Sequence, residues 1–227
     1  MPNNAPTPHF VDDLIASRRA TRNFLARPVR REIIVDILEV ARMAPSALNT
    51  QPWNIHVLTG AAREQISAAV CAAHDAGDLR PEFPVEWFGP YENRRREFGA
   101  RFYGLLGIER HERERLSMQQ KNNYVFYGAP VGLIFTIDRR LSRGSWADYG
   151  MFLQNIMIAA RARGLDTCPQ GCWSNFPHVL GEHLHLGEHD SIVCGMALGY
   201  GNPEAIENTL TLDRQPVEAF AHFAGFE

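Results

Sequence analysis

Arg18 and Arg22, four residues apart in the run Arg18-Arg19-Ala20-Thr21-Arg22-Asn23-Phe24, aim two cations at one locus. Further along, Ala44-Pro45-Ser46-Ala47-Leu48-Asn49-Thr50-Gln51-Pro52-Trp53 packs prolines, hydrogen-bonding side chains and an indole into one turn. Neither segment makes sense as core. Guanidinium groups bind oxyanions with a rigid fork of donors, and a polar turn whose backbone is fixed by proline can present donors and acceptors at set positions. Together they suit a ligand that is anionic at one end and a flat polar heterocycle at the other. Flavin mononucleotide (FMN) meets that description.

The elements that must position these residues follow from periodicity. A short helix begins near Phe10 with Val11, Leu14 and Ile15 as its apolar stripe, and a second runs from about Arg31 to Met43. Ile33, Ile34, Ile37, Leu38 and Ala41 make the buried face of that second helix, and Pro45 ends it. Trp53, Ile55 and Val57 alternate with polar residues and read as a strand, followed by a helix from Ala62 to His74. The almost unbroken apolar run 131–137 reads as a strand covered on both faces. A long helix is expected from Ser145 to Arg163, with Ser145 and Asp148 at capping-box spacing and Gly164 as its C-terminal stop. Its buried face is expected to carry Trp146, Gly150, Leu153, Met157 and Ala160, and a last strand spans Ser191 to Tyr200. Strands separated by helices give a helix-covered sheet.

Residues 1–227 read as one domain, with a loose proline-rich arm over 1–9. Residues 78–123 differ in composition: rich in Arg and Glu, they carry Trp87, Phe88, Tyr91, Phe98, Phe102 and Tyr103 and read as a helical insert, a candidate lid. The charge runs inside it, Arg94-Arg95-Arg96 and 109–115, read as solvated helix faces. The Phe-rich tail after Asn202 has little periodicity and reads as a segment that wraps a partner subunit.

Composition narrows the function. A net charge of −3 gives no electrostatic reason to expect nucleic acid or an anionic membrane, and no apolar run has the length to span a bilayer. The four cysteines (Cys71, Cys168, Cys172 and Cys194) form no Cys-x-x-Cys pair and read as reduced thiols of a cytoplasmic protein. His178, His183, His185 and His189 crowd one stretch with Glu182 and Glu188, but no His-x-x-x-His pair shares a helix face with a carboxylate, so no metal is expected. Neither a P-loop nor a Gly-x-Ser-x-Gly elbow is present, and Gly199 and Gly201 lack the third glycine of a dinucleotide fingerprint.

At the two opening segments the chain resembles the nitroreductase family of flavoproteins. The family's first motif, Arg-x-Ser/Thr-x-Arg/Lys-x-Phe, is matched by Arg18, Ala20, Arg22 and Phe24; the second, Ala-Pro-Ser-x-x-Asn-x-Gln-Pro-Trp, is matched throughout from Ala44 to Trp53. The likeness continues through residues 164–171, through Gly195, Ala197, Leu198, Gly199 and Tyr200, and to Arg214 before Pro216. Pro84, Tyr91, Arg95-Arg96, Gly107-Ile108 and Asn123 resemble a subgroup that contains 4-nitrobenzoate reductases.

The resemblance implies an α+β fold, a three-layer helix/sheet/helix sandwich that forms a homodimer with FMN at the interface. It implies that Arg18 and Arg214 clamp the FMN phosphate and that Arg22 sits beside the N1/O2 edge of the ring, with Arg19 and Ala20 alongside. It has Ser46 and Asn49 reach the ribityl chain and ring of the flavin across the subunit interface, and it counts Pro45, Ala47 and Gln51 among the cofactor-binding residues. It places Pro169 on the ring face with Gln170 and Gly171 offering backbone N–H groups to N5 and O4. One of Lys121, Asn122 and Asn123 would add a flavin contact. Ala20 and Ala47 depart from hydroxyl residues common in the family, and a lost hydrogen bond to a charged group costs about 1.5–3 kcal/mol. The implied activity is reduction of nitroaromatic compounds to hydroxylamines with NAD(P)H by a ping-pong hydride mechanism. Catalysis then needs no side-chain dyad, and Trp87, Phe88, Phe102 and Tyr103 would stack on the substrate. Other reactions of flavoproteins with this fold (reductive dehalogenation, flavin fragmentation, azoline oxidation) and a purely flavin-binding role remain open at this point.

Overall fold

The computed structural model describes residues 8–82 and 86–226. Residues 1–7 of the expected arm and Pro84 lie outside the described residues; Pro8 and His9 belong to the first helix. The helices are α1 (Pro8–Ser17), α2 (Arg31–Ala41), α3 (Gly60–Asp75), α4 (Gly89–Leu105), α5 (Arg113–Lys121), α6 (Arg143–Arg161) and α7 (Pro177–Leu184). The strands β1 (Asn54–Thr59), β2 (Val131–Asp138), β3 (Asp166–Gln170) and β4 (Asp190–Gly199) form one antiparallel sheet in the order β1-β2-β4-β3.

The sheet separates two apolar cores. On one face, Val131, Leu133, Phe135 and Ile137 of β2 and Cys194, Met196 and Leu198 of β4 pack against α2 and α6. On the other, Ile134 and Ala197 meet α3, α7 and two aromatic 3₁₀ turns at 126–128 and 171–175. Helix layers on both sides give the expected α+β sandwich. Alternation along β4 breaks once: Phe135 pairs with Cys194 and Thr136 with Ile192, so Val193 is an extra residue in a bulge. The bulge turns Ile192 toward the second core while Cys194 faces the first.

The second core depends on two missing side chains. A Cβ on Gly132 would lie 2.5 Å from the Phe126 ring, and one on Gly195 would lie 2.3 Å from Trp173 Cδ1. Phe126 and Trp173 are fully buried and stack on one another with centroids 4.5 Å apart, so both indole and phenyl lie over the glycine sites of the sheet.

Several sequence expectations change. Strand β3 was not anticipated, because Asp166-Thr-Cys-Pro-Gln mixes polar residues with a proline; as the edge strand beside β4 it tolerates both. The histidine-rich stretch forms helix α7, which Pro177 opens and His185, in the left-handed region at φ 53°, closes. The capping box at Ser145 and Asp148 does not form, since α6 begins two residues before Ser145 and both residues lie inside it. Asp148 is buried and accepts a hydrogen bond from the Ala47 N–H at 3.0 Å. The fully buried face of α6 is Tyr149, Phe152, Ile156 and Ala160, while Trp146, Leu153 and Met157 are partly buried at its margin and Gly150 is exposed. Gly164 behaves as expected: at φ +71° it reverses the chain, and the Leu165 N–H donates back to Ala160 O.

Candidate functional site

Segment 18–24 is held against the free edge of β3. Thr21 N donates to Thr167 O at 3.0 Å, Phe24 N to Tyr127 O at 3.2 Å and Leu25 N to Tyr200 O at 2.8 Å. Asn208 pins the same stretch from the tail: its Oδ1 accepts from Arg22 N at 2.7 Å, and its Nδ2 donates to Asn23 O and Asn202 O. Sequence reasoning missed Asn208, because a single asparagine in an aperiodic tail gives no local signal.

This anchoring brings four arginines to one cleft of about 580 Å³, where Arg18, Arg19, Arg22 and Arg214 are joined by Gln154 of α6 and Thr211. None of the four makes an ion pair among the described residues. Burial, and then the neighbouring Arg214 guanidinium, hold the Arg18 pKa below its ordinary value. Two cations that repel one another and have no carboxylate partner form a place for an anion. Thr211 supplies a hydroxyl in the cleft whose rim carries Ala20 in place of Ser or Thr.

Arg22 also lines a second cleft of about 240 Å³, and there the expected ring-binding residues meet: Pro169, Gln170 and Gly171 on one side, Phe102 and Tyr103 of α4 on the other. Pro169 and Gly171 are exposed, whereas Gln170 is buried with its side chain donating to Asn123 O at 2.7 Å. The Arg22 guanidinium lies 5.0 Å from the Phe102 ring centroid and 5.2 Å from that of Phe98. Phe98, noted from the sequence only as an aromatic residue of the insert, also borders this cleft, as do Gln119, Gln120 and Tyr127, which were not singled out; Tyr127 Oη donates to Asn123 Oδ1 at 2.9 Å. Asn123 lines it, whereas Lys121 reaches away to Asp75 at 2.8 Å. Burial pushes the Cys168 thiol up to about 11 although Arg22 and Arg18 oppose the shift, so at neutral pH it stays protonated.

The remaining expected residues stand apart from these two clefts. Trp87 and Phe88 line neither of them; Phe88 sits edge-on to Tyr91 at 5.5 Å. Pro45, Ser46, Ala47, Asn49 and Gln51 also line neither. Their turn is held from within by Gln51 N donating to Ser46 Oγ, from below by Asp148, and at its end by Trp53, which stacks on Phe152 at 4.6 Å. Leu48, Asn49 and Gln51 all have positive φ (53°, 58° and 47°), and the Leu48 side chain is 99% exposed. A non-glycine residue in that region costs about 1–3 kcal/mol and persists where its surroundings over-determine it. Asp148→Ala should therefore destabilise the fold by about 1–3 kcal/mol, the penalty of an orphaned N–H. A melting experiment would register it as a fall of about 2–4 °C per kcal/mol; an unchanged melting temperature would remove Asp148 from the support of the turn.

Among the described residues no group of three His, Cys, Asp or Glu side chains converges, and no helix is long and apolar enough to cross a membrane. Of the histidines that crowd 178–189, His178 Nε2 lies 3.1 Å from Asp78 and His183 Nδ1 lies 3.0 Å from Val179 O.

Comparison with known proteins adds a chemical context. The profile described as the nitroreductase family matches residues 15–200. A 4-nitrobenzoate reductase of Pseudomonas putida is 44% identical over 218 residues, 95% of this chain and 96% of that protein. A nitrobenzene nitroreductase of Ectopseudomonas oleovorans is 44% identical over 96% of this chain and 98% of its own length. The crystal structure of the FMN-dependent nitroreductase NfnB from Mycobacterium smegmatis in complex with NADPH superposes with a TM-score of 0.91 at 30% identity, covering 95% of this chain and 98% of that one.

Proposed function

Because the chain belongs to the nitroreductase family, we propose that it is an FMN-dependent oxidoreductase that reduces nitroaromatic compounds with NAD(P)H, working as a homodimer in the cytoplasm. The observation that carries this reading is the junction at Arg22. A cleft with four arginines lacking ion pairs among the described residues opens at that side chain onto a cleft floored by Pro169 and Gly171 and walled by Phe102 and Tyr103. The donor set fits FMN: cations for a phosphate at one end, and a narrow space between a proline face and aromatic rings for a flat heterocycle at the other.

Bound FMN supplies two-electron transfer between the nicotinamide and the nitro group. Arg18 and Arg214 hold its phosphate, relieving their mutual repulsion. Arg22, which lines both clefts, would place a fixed cation beside the ring, the kind of preorganised charge that favours a reduced, anionic state. Phe102 and Tyr103 form the wall against which an aromatic substrate stacks. Solvent would deliver the protons, which accords with two clefts whose described lining carries no histidine or carboxylate.

Dimerisation accounts for what a single chain leaves exposed. Met43, Leu48, Phe220, Phe223 and Phe226 are among the apolar side chains left open. The turn 45–51 then serves the partner's cofactor, which explains why it lines neither cleft of its own chain. Four free cysteines suit a reducing compartment.

The test is anaerobic stopped-flow on FMN-loaded protein, mixed first with NADH or NADPH and then with 4-nitrobenzoate or nitrobenzene. Bleaching of the flavin absorbance followed by reoxidation by the nitro compound is the expected result. Bound flavin that neither nucleotide bleaches would overturn the reading.

A further inference from the structure

The charged run of α4, read from the sequence as a solvated face, is sorted by the structure into different partners. Arg94 lies over the Tyr91 ring at 5.0 Å, Arg96 meets Glu92 at 2.6 Å and Arg101 binds Asp213 and Thr211 O. On α5, Arg115 is taken by Glu112 and Gly107 O. Arg95 and Arg110 have no hydrogen bond or ion pair among the described residues. Together with Arg96 they line one groove of about 530 Å³ between α4 and α5. Its carboxylate, Glu109, lies 3.3 Å from His111. This concentration of positive charge stands on a chain whose net charge is −3.

The groove adjoins the inner cleft. Tyr103 and Gln120 line both, so a molecule seated over Pro169 and Gly171 reaches the groove by passing these two side chains. Arg95, Gly99 and Tyr103 follow one another at i, i+4 and i+8 along α4, a stripe about 12 Å long at 1.5 Å per residue. Gly99 and Gly104 leave its floor open, since a Cβ on either would meet nothing within 4 Å.

An occupant must therefore put a flat heterocycle in the inner cleft and an anion at the far end of the stripe. A nitroarene is too short for both. A pyridine dinucleotide has the length, and a monoester phosphate on its adenosine ribose supplies a dianion for converging guanidinium groups. We propose that the α4–α5 groove, through Arg95, Arg96 and Arg110, binds the ribose 2′-phosphate of NADPH and makes this chain prefer NADPH to NADH as its electron donor. The assignment rests on the nitroreductase reading above.

Calorimetric titration of the FMN-loaded protein with 2′,5′-ADP and with 5′-AMP tests the groove without turnover. The 2′-phosphate is expected to tighten binding about tenfold or more, equivalent to about 1.4 kcal/mol, and Arg95→Gln with Arg110→Gln is expected to abolish the difference. In anaerobic flavin bleaching the same double variant should raise the half-saturating NADPH concentration about tenfold more than that of NADH, as loss of contacts to a charged group predicts. Equal binding of 2′,5′-ADP and 5′-AMP by the unsubstituted protein would overturn the proposal. So would an equal loss for both dinucleotides, which would assign the arginines to the pyrophosphate. Inorganic phosphate binding as tightly as 2′,5′-ADP would reduce the groove to a free-ion site and overturn it too. Absence of bleaching by either dinucleotide would overturn the nitroreductase reading itself, and the 2′,5′-ADP comparison would still read the groove separately.

Discussion

Replacing both Arg18 and Arg214 by alanine is expected to weaken FMN binding about a hundredfold or more while leaving the flavin-free fold intact or slightly more stable. Each guanidinium contact to a charged group contributes about 1.5–3 kcal/mol, and two lost contacts need not add linearly because the groups are neighbours. The second half of the expectation comes from sign. Burial and the Arg214 charge lower the Arg18 pKa, so without an anion the folded state disfavours the charged form of Arg18. Removing the pair removes a repulsion. Two melting curves decide the matter: the flavin-free variant should melt at or above the parent temperature, and added FMN should raise its melting point far less than it raises the parent's. A variant that melts early without FMN would make these arginines structural supports.

Gly195→Ala is expected to damage both stability and flavin binding from beneath the site. The new methyl would lie 2.3 Å from Trp173 Cδ1 and 2.6 Å from Nε1, and the indole has no room to retreat because Phe126 is stacked against it and Tyr124 meets it edge-on. Overpacking of this kind costs about 1–3 kcal/mol, or about 2–4 °C of melting temperature for each kcal/mol in a chain of this size. The Trp173 Nε1–H donates to Gln170 Oε1 at 3.4 Å, so a displaced indole also shifts the end of β3 and the Gly171 turn. Gly181→Ala in α7 is the control: its Cβ would meet nothing within 4 Å, and the substitution should be neutral or stabilise by about 1 kcal/mol. Equal melting temperatures for both variants would show that Trp173 can repack.

The parts of the fold and of the candidate site that were legible in the sequence share a cause, which is that the local residue types could do little else. The turn from Pro45 to Gln51 was readable because its prolines and polar groups exclude an α-helix, although Ala44 and Trp53 at its two ends pack into the first core. Strand β2 was readable because an apolar run covered on both faces has few alternatives. What was misread depended on contacts distant in sequence. Asp148 has capping-box spacing from Ser145, yet its carboxylate is used by Ala47, which is 101 residues away. Trp146, Leu153 and Met157 form as good a stripe on paper as Tyr149, Phe152 and Ile156, and only the position of β2 decides between them. Asn208 fixes the Arg22 backbone across 186 residues, a relation without any local trace. Among the four aromatic residues expected to meet the substrate, Phe102 and Tyr103 lie on the face of α4 that closes the inner cleft, whereas Trp87 and Phe88 precede that helix and stay exposed.

The outward turn with Leu48 at its tip also bears on inheritance. If a chain lends that turn to its neighbour and keeps its arginines for itself, each cofactor place is stitched from two gene products. Damage to the turn in one copy and damage to Arg18 in another then fall on the same place in a mixed pair, and the opposite place is left whole. Two defective alleles of such a gene can rescue one another inside a single cell, whereas two alleles hit in the same segment cannot.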